Sequence, residues 1–407
     1  MHFLIPFSSL LAGLGALVSA APNPTGALSL AQGKDPFTFD YTAPSANAKN
    51  WIGIYHITGG GPDQEKQVDP SLTWKYAPAQ KGSIKIDVPF GGGKFKAYFL
   101  ANDGYTWIAN PIEISAPTIS DGKQFKVLSW NLWHGGTKIN GYHEKQIKFI
   151  KDQAVDVVGL QEATGDHAQR LANALGWNYH QNNGQNTAGI ISRFPITKRH
   201  ANLGARTAGV ELAINSDKTK PFNFWSLHTT AYPYGPYEFC FESKTSAQVD
   251  QAEISSGRVS EIKAVIDGTK AQRESNAAFI LVGDFNSPSH LDWTAANKHC
   301  DGKVGAYAWP VTKYATEQGG LTDTFRKIHP DPKATPGETW SPIVKTNSEA
   351  GSAGKKEPQD RIDFIFANAK LSAVDSQVKV VGMPSENYVN NEWTSDHASV
   401  ITTFKTP

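Results

Sequence analysis

Eight residues of the types that do hydrolytic chemistry recur at the ends of apolar runs. Asn131 closes VLSWN, Glu162 closes VVGLQE and His228 closes FNFWSLH. Asp284 and Asn286 close FILVGDFN, Asp363 opens DFIF, and Asp396 and His397 stand just before ASVITTF. Gly, Asp and Asn stop strands unaided, so turn chemistry accounts for any one of these corners. It does not account for the set, because each polar group buried without a partner costs several kcal/mol. The repetition predicts a shared destination at one rim of the sheets, where α/β folds commonly build sites.

The residue types narrow the chemistry. Carboxylates and carboxamides are hard oxygen donors, suited to Mg²⁺, Mn²⁺ or Ca²⁺ and not to a soft metal. Two imidazoles titrating near neutrality can hold a phosphoryl oxygen and protonate a leaving oxygen. Neither a GxSxG elbow nor a Walker loop occurs, which removes the common covalent-nucleophile and P-loop readings. The combination predicts metal-assisted attack of water on a phosphate ester, with no covalent enzyme intermediate.

The elements that must position these groups follow from periodicity. From about Gln124, the runs FKVLSW, VDVVGLQ, FNFWSLH, AAFILVGD, RIDFIFA and ASVITTF read as strands. HEKQIKFIKDQ predicts a helix with Ile147, Ile150 and, just beyond it, Ala154 on one face. SSGRVSEIKAVIDG predicts another, with Val259, Ile262 and Ile266 aligned, a Ser cap and Gly268 as its stop. Residues 124–405 therefore read as an α/β layered domain. Residues 22–118 read as a small all-β sandwich, with WIGIYHI, SIKIDVPF, KFKAYFLAN and NPIEISA separated by Gly/Pro/Asp clusters. SAPTISDGK would link the two.

Residues 1–20 are apolar from Phe3 to Val18 and end in Val18-Ser19-Ala20, which predicts a secretory signal peptide cleaved after Ala20. No later run is apolar enough to span a bilayer, so a secreted, extracellular chain without a transmembrane segment is expected. The two cysteines, Cys240 and Cys300, are expected to pair in that oxidising compartment. Zinc is disfavoured by the absence of CxxC and HxxxH spacings. Lys+Arg 39 against Asp+Glu 38 leaves no overall field to recruit nucleic acid or an anionic membrane, so any such recruitment must be local. A monomer is expected.

SWNLW, LQE, GDFN, RIDFI and SDH, in that order across most of residues 124–405, resemble the motifs of the endonuclease/exonuclease/phosphatase superfamily, also called DNase I-like. The resemblance implies a four-layer α/β sandwich: two packed mixed sheets flanked by helices, here preceded by the β-sandwich. In that upstream region NWIGIYHITGGGPD, LTWKYAP and KFKAYFLANDGY are similar to SKICH-type Ig-like domains. The resemblance further implies Glu162 as principal metal ligand, with Asn131 and Asp396 completing or supporting the metal and phosphate shell, and Mg²⁺ as the ion. Asp284 would orient and deprotonate the attacking water, and Asn286 would hold it or a phosphate oxygen. His397 would contact the phosphate, its tautomer fixed by Asp363, and His228 would serve the scissile group from the opposite side. In some relatives the pairing Asp directly precedes Arg-Ile. That register selects Asp360, read here as a solvated strand-start residue, and Asp363 is preferred because RIDFIF aligns as the buried strand.

Substrate is read from the departures. Ser287-Pro288 after Asn286, and Gln359 before Asp360, depart from the inositol-polyphosphate 5-phosphatase signature. Trp133 stands where AP endonucleases place Asp. A DNase I-like nuclease comes first, acting on a phosphodiester of nucleic acid. A sphingomyelinase or phospholipase C-type lipid phosphodiesterase, reading a phospholipid headgroup, and an inositol-phosphate phosphatase are the alternatives, and an inactive binding protein comes last. Lys345, Lys355 and Lys356 are local phosphate-binding candidates, with a solvated loop as the plain alternative. TTAYPYGPYEFCF, residues 229–241, is a candidate contact for bases or headgroups, or a rigid self-packed loop. Arg258 is expected either in the cleft or exposed in a first helical turn, and His134–Gly136 to offer backbone donors or form a tight turn. His143, His167 and His299 are expected to be plain surface or core histidines.

Overall fold

The computed structural model describes residues 24–405 apart from 34–36, 58–59, 69, 87–92, 117–123, 182–186, 205 and 215–221. The leader expected over residues 1–20 lies outside the described residues, as does most of SAPTISDGK. Among the described residues, no helix is long and apolar enough to cross a membrane.

Runs rich in Val, Ile, Phe and Trp become the strands of two six-stranded sheets, as β-branched and aromatic side chains fit a pleated, packed surface. The first sheet runs Asn178–His180, Gly189–Ser192, Val157–Gln161, Gln124–Asn131, Ser399–Lys405, Ala373–Lys379. The second runs Ile196–Arg199, Thr207–Leu212, Phe222–His228, Ala278–Asp284, Asp363–Ala367, Thr322–Asp323. Each is mixed, with a parallel pair among antiparallel neighbours: Gln124–Asn131 beside Val157–Gln161, and Phe222–His228 beside Ala278–Asp284. Register alone aligns part of the site. His228 is the partner of Asp284 in the parallel pair, and Asp284 is the partner of Asp363 across the antiparallel one.

Val127, Val157 and Ile190 from the first sheet interleave with Val210, Phe224, Ile280 and Val282 from the second. Their contact is close enough to require a glycine, since a Cβ on Gly159 would stand 2.1 Å from Val282 Cγ2. Helices cover the outer faces. Phe149 and Ile150 of Tyr142–Asp152, with Leu171 and Ala172 of His167–Leu175, lie over Leu128, Trp130 and Leu160. Ile262 and Val265 of Arg258–Gly268, with Val311 and Ala315 of Pro310–Glu317, lie over Trp225, Leu281 and Phe364. The layering is helix, sheet, sheet, helix, as expected.

Upstream, a three-stranded sheet and a four-stranded sheet, both antiparallel, make a strand-rich region. They face each other through Phe37 on Phe95 and Tyr41 on Phe99.

Two helix expectations are corrected. Tyr142–Asp152 ends before Ala154, which is exposed at φ 49°; Phe149 fills the buried face in its place. The helix Arg258–Gly268 has Gly257 at φ 91° as its N-cap and not a serine, although Ser256 Oγ, one residue earlier, accepts from the Arg258 N–H; Gly268 is its last residue and Thr269 follows. The serines before Gly257 belong to or follow a separate helix, Ser246–Ser255, started by a Thr245/Gln248 capping box. The left-handed glycine breaks one periodic pattern into two helices. Cys240 and Cys300 are joined as a disulfide.

Candidate active site

Asp284 ends its strand buried at the rim of the second sheet, and its Oδ2 gathers three groups. Asn131 Nδ2 donates to it at 2.9 Å, and His228 Nε2 and His397 Nε2 each stand 3.7 Å away. The other oxygen, Oδ1, accepts from the backbone N–H of Asn286 at 2.9 Å. Asn286 sits at φ 44°, a conformation Asn tolerates better than most residues, and its Nδ2 donates to the Thr229 carbonyl at 3.0 Å. The GDFN corner thus aims one carboxylate and locks the loop that follows His228.

Glu162 comes from the first sheet, one residue beyond Val157–Gln161, at φ 52°. Asn131 Nδ2 donates to its Oε1 at 3.2 Å, and the His134 N–H donates to its Oε2 at 2.6 Å. Asn131 braces Glu162 and Asp284 with its amide nitrogen, while its oxygen accepts from the Trp133 N–H at 2.9 Å. Residues 133–136 all have positive φ, so the tight-turn reading of His134–Gly136 holds, and the turn serves Glu162. Sequence reasoning missed what fixes the turn. Arg170 donates to the Gly135 carbonyl, to Gln146, to His167 Nδ1 and towards His143 Nδ1. These two histidines therefore brace the turn's anchor.

The remaining pair is buried. His397 Nδ1 and Asp363 Oδ2 are 2.9 Å apart, as expected from the RIDFIF register. Thr339 Oγ1 accepts from the N–H groups of Ile362 and Asp363, and Ser395 Oγ accepts from the His397 N–H. Trp393 Nε1 donates to the His397 carbonyl. Ser395 is the first residue of the SDH motif, but Thr339 and Trp393 belong to none, and their signal is their place in the fold. Burial opposes a charge on His397, but Asp363, Asp284 and Asp396 outweigh it and raise the imidazole well above its ordinary value. His228 goes the other way, lowered by burial despite Asp284 and Glu162. Burial raises Glu162, yet His228, the His134 N–H and His397 bring it below the usual carboxylate value. One imidazole is pushed toward its charged form and the other toward neutrality, the kind of split that separates electrostatic from acid–base roles.

Two residues stand elsewhere than expected. Asp360 is not solvated: it is buried, accepts from Trp293 Nε1 at 2.9 Å and Tyr234 OH at 3.3 Å, and does not touch His397 through its side chain. Arg258 is neither in the cleft nor exposed. It is fully buried, paired with Glu253, and donates to the carbonyls of Thr230, Ala231 and Pro233, so it pins the aromatic loop. Lys345 Nζ is tied to the Ser341 carbonyl and to Gln359, each at 2.6 Å. His299 stacks on Trp293 with centroids 4.2 Å apart. In the 229–241 loop Tyr234 is buried, while Tyr232 stays 56% exposed.

A divalent cation fits this donor set. Asp396 Oδ1 and Asp363 Oδ1 are buried without hydrogen-bond partners, and burial pushes Asp396 up to about 7, a position a cation would reverse. Asp284, Asp363 and His397 offer ligand atoms within 4.8 Å of one another. Asp396 Oδ1 and Asp363 Oδ1 are the oxygens without a partner, and Glu162, held by Asn131 Nδ2 and the His134 N–H through one bond to each oxygen, keeps further lone pairs to offer an ion.

A model described as the Endonuclease/Exonuclease/phosphatase family matches residues 128–397. An uncharacterized Caenorhabditis elegans protein is 29% identical over 300 residues, covering 70% of this chain and 92% of its own. D. rerio TDP2 complexed with single strand DNA product aligns at 15% identity and TM-score 0.46, over 70% of this chain and 99% of that one. The human nocturnin catalytic domain with bound sulfate anion aligns at 14% identity and TM-score 0.44, over 70% and 95%. A mannosyl-6-phosphatase of Bacteroides thetaiotaomicron aligns at 16% and 0.44, over 69% and 99%.

Proposed function

The chain belongs to the endonuclease/exonuclease/phosphatase family, and from that premise we propose that it is a secreted, divalent-metal-dependent phosphodiesterase acting on nucleic acid. The observation that carries the reading is the convergence on Asp284 Oδ2 of Asn131 from one sheet, His228 from its own sheet and His397 from the loop before the last strand. Glu162 and Asp396 would hold a divalent cation, which when bound would neutralise charge on the phosphate and lower the pKa of a water. Asp284 orients the attacking water and takes its proton. His397, held by Asp363, meets the phosphoryl oxygens as an imidazolium. His228, kept toward neutrality, contacts the scissile group as a hydrogen-bond partner. Asn286 fixes the corner on which Asp284 stands. Mg²⁺ is the ion proposed, because the donors are oxygens.

Two features support the remaining details. The apolar leader over residues 1–20 and the Cys240–Cys300 bond favour an oxidising, extracellular destination. Tyr232, exposed on the loop after His228, offers a ring on which a base can stack. The test is hydrolysis of bis-p-nitrophenyl phosphate with Mg²⁺, Mn²⁺ or Ca²⁺, with and without EDTA, followed by plasmid DNA, RNA and sphingomyelin side by side. Metal-dependent turnover of the diester and of nucleic acid is expected. Absence of metal-dependent turnover sinks the enzyme reading, and cleavage of sphingomyelin alone sinks the nuclease one.

A further inference from the structure

Beside the active centre, a cavity of 680 Å³ opens between the disulfide and the segment leading into the Asp363 strand. None of the eight site residues lines it, yet Asp360 forms a common wall. Its side chain holds Trp293 and Tyr234, and its backbone pairs with Trp340, which also pairs with His397. Four lysines line the cavity: Lys298 and Lys303 flank Cys300 on one side, and Lys355 and Lys356 come from a second loop. All four are exposed.

The acidic groups of the lining are largely committed. Asp292 is bound by Arg326 and Arg361, and Arg361 is further matched by Asp323. Glu357 accepts from Tyr237, Trp340 and Asn347. Burial raises Asp360 to about 7, leaving it part neutral at physiological pH. The lining holds six cationic side chains, the four lysines with Arg326 and Arg361, against five acidic ones, Asp292, Asp301, Glu338, Glu357 and the part-neutral Asp360, so the cavity carries a small positive excess, with its lysines exposed, on a chain whose overall charge is +1. A local excess of this kind is what phosphate-backbone binding needs when the global field is absent.

We propose that this cavity holds a second phosphate of an extended, polyanionic substrate while another is hydrolysed at Asp284. The inference rests on the phosphodiesterase reading and deepens it: a small diester uses the active centre alone, and an oligonucleotide uses both places. The test compares bis-p-nitrophenyl phosphate with a single-stranded oligonucleotide of about ten nucleotides, over a salt series, in wild type and in two charge-reversed variants. These are Lys298→Glu/Lys303→Glu and Lys355→Glu/Lys356→Glu, all at exposed positions. In each, KM for the oligonucleotide is expected to rise about tenfold and its salt dependence to flatten, with the small diester changed less than about twofold. An unchanged oligonucleotide KM, or an equal loss on the small diester, overturns the inference. Wild type that cleaves the small diester and no oligonucleotide overturns it while leaving the phosphodiesterase reading in place. No metal-dependent turnover of either removes that reading and the inference with it.

Discussion

Asp284 serves Asn131, His228 and His397 through one oxygen, so the isosteric change Asp284→Asn keeps the packing and removes the proton acceptor. A fall in kcat of at least about 10³-fold is expected, with the melting temperature held within a few degrees; a fall under tenfold would assign the base elsewhere. Asp360 gives a prediction of a different kind. Burial raises its folded-state value from the ordinary 3.8 to about 7, so the folded chain binds this proton more tightly than the unfolded one. Stability from this group is full below about pH 4 and declines as pH rises toward 7. Asp360→Asn, which keeps an acceptor oxygen for Trp293 Nε1 and turns a donor NH2 toward the Tyr234 hydroxyl oxygen, should flatten that decline and match or exceed wild-type stability at pH 8, as read by denaturant midpoints at pH 5 and 8. The two aspartates of DRID look alike in sequence. What separates them is which loop closes over each: Trp293 and Tyr234 over one, His397 over the other.

At the scale of elements, the catalytic loops are held from below by the start of one helix. Arg258 ties Thr230, Ala231 and Pro233, and its partner Glu253 also accepts from Ser287 Oγ. Arg258→Met would strand Glu253 as a buried, unpaired charge, at a cost of about 3–5 kcal/mol, and would release the loops after both His228 and Asn286. Arg258→Met/Glu253→Gln should recover much of the stability and little of the activity, a split visible by comparing urea midpoints with kcat. The strand-end groups were readable in the sequence because a period of two and parallel register set side chains without knowledge of distant partners. Arg258 was misread for the converse reason, since its neighbours arrive from a loop about 25 residues away along the chain. Thr339, Trp340 and Arg170 carry no strand-end or motif signal at all, and only the folded loops reveal what they hold.

For the molecule as a whole, two tethers set stability. The Cys240–Cys300 bond closes a separation of 60 residues, so Cys240→Ser/Cys300→Ser should lower unfolding free energy by about 4 kcal/mol in the chain-entropy account, measured by denaturant unfolding without reductant. A divalent ion held only by the folded chain should add about 2.7 kcal/mol at a hundred times its Kd. EDTA should therefore lower the melting temperature, and Glu162→Gln should abolish that response. If EDTA leaves the wild-type melting temperature unchanged, the site holds no ion. An α/β layered domain was readable from the alternation of strand and helix patterns, and its four layers from the resemblance of the ordered motifs. The packing distance was not, because Gly159 shows its purpose only when Val282 is seen opposite it.

The strand Ser399–Lys405 lies against Gln124–Asn131, so the chain returns to its earlier sheet only after the whole second sheet has been made. During translation, Asn131 and Glu162 leave the ribosome long before Asp396 and His397 can join them. The group around Asp284 therefore lacks Asp396 and His397 until nearly all of the 407 residues have been made.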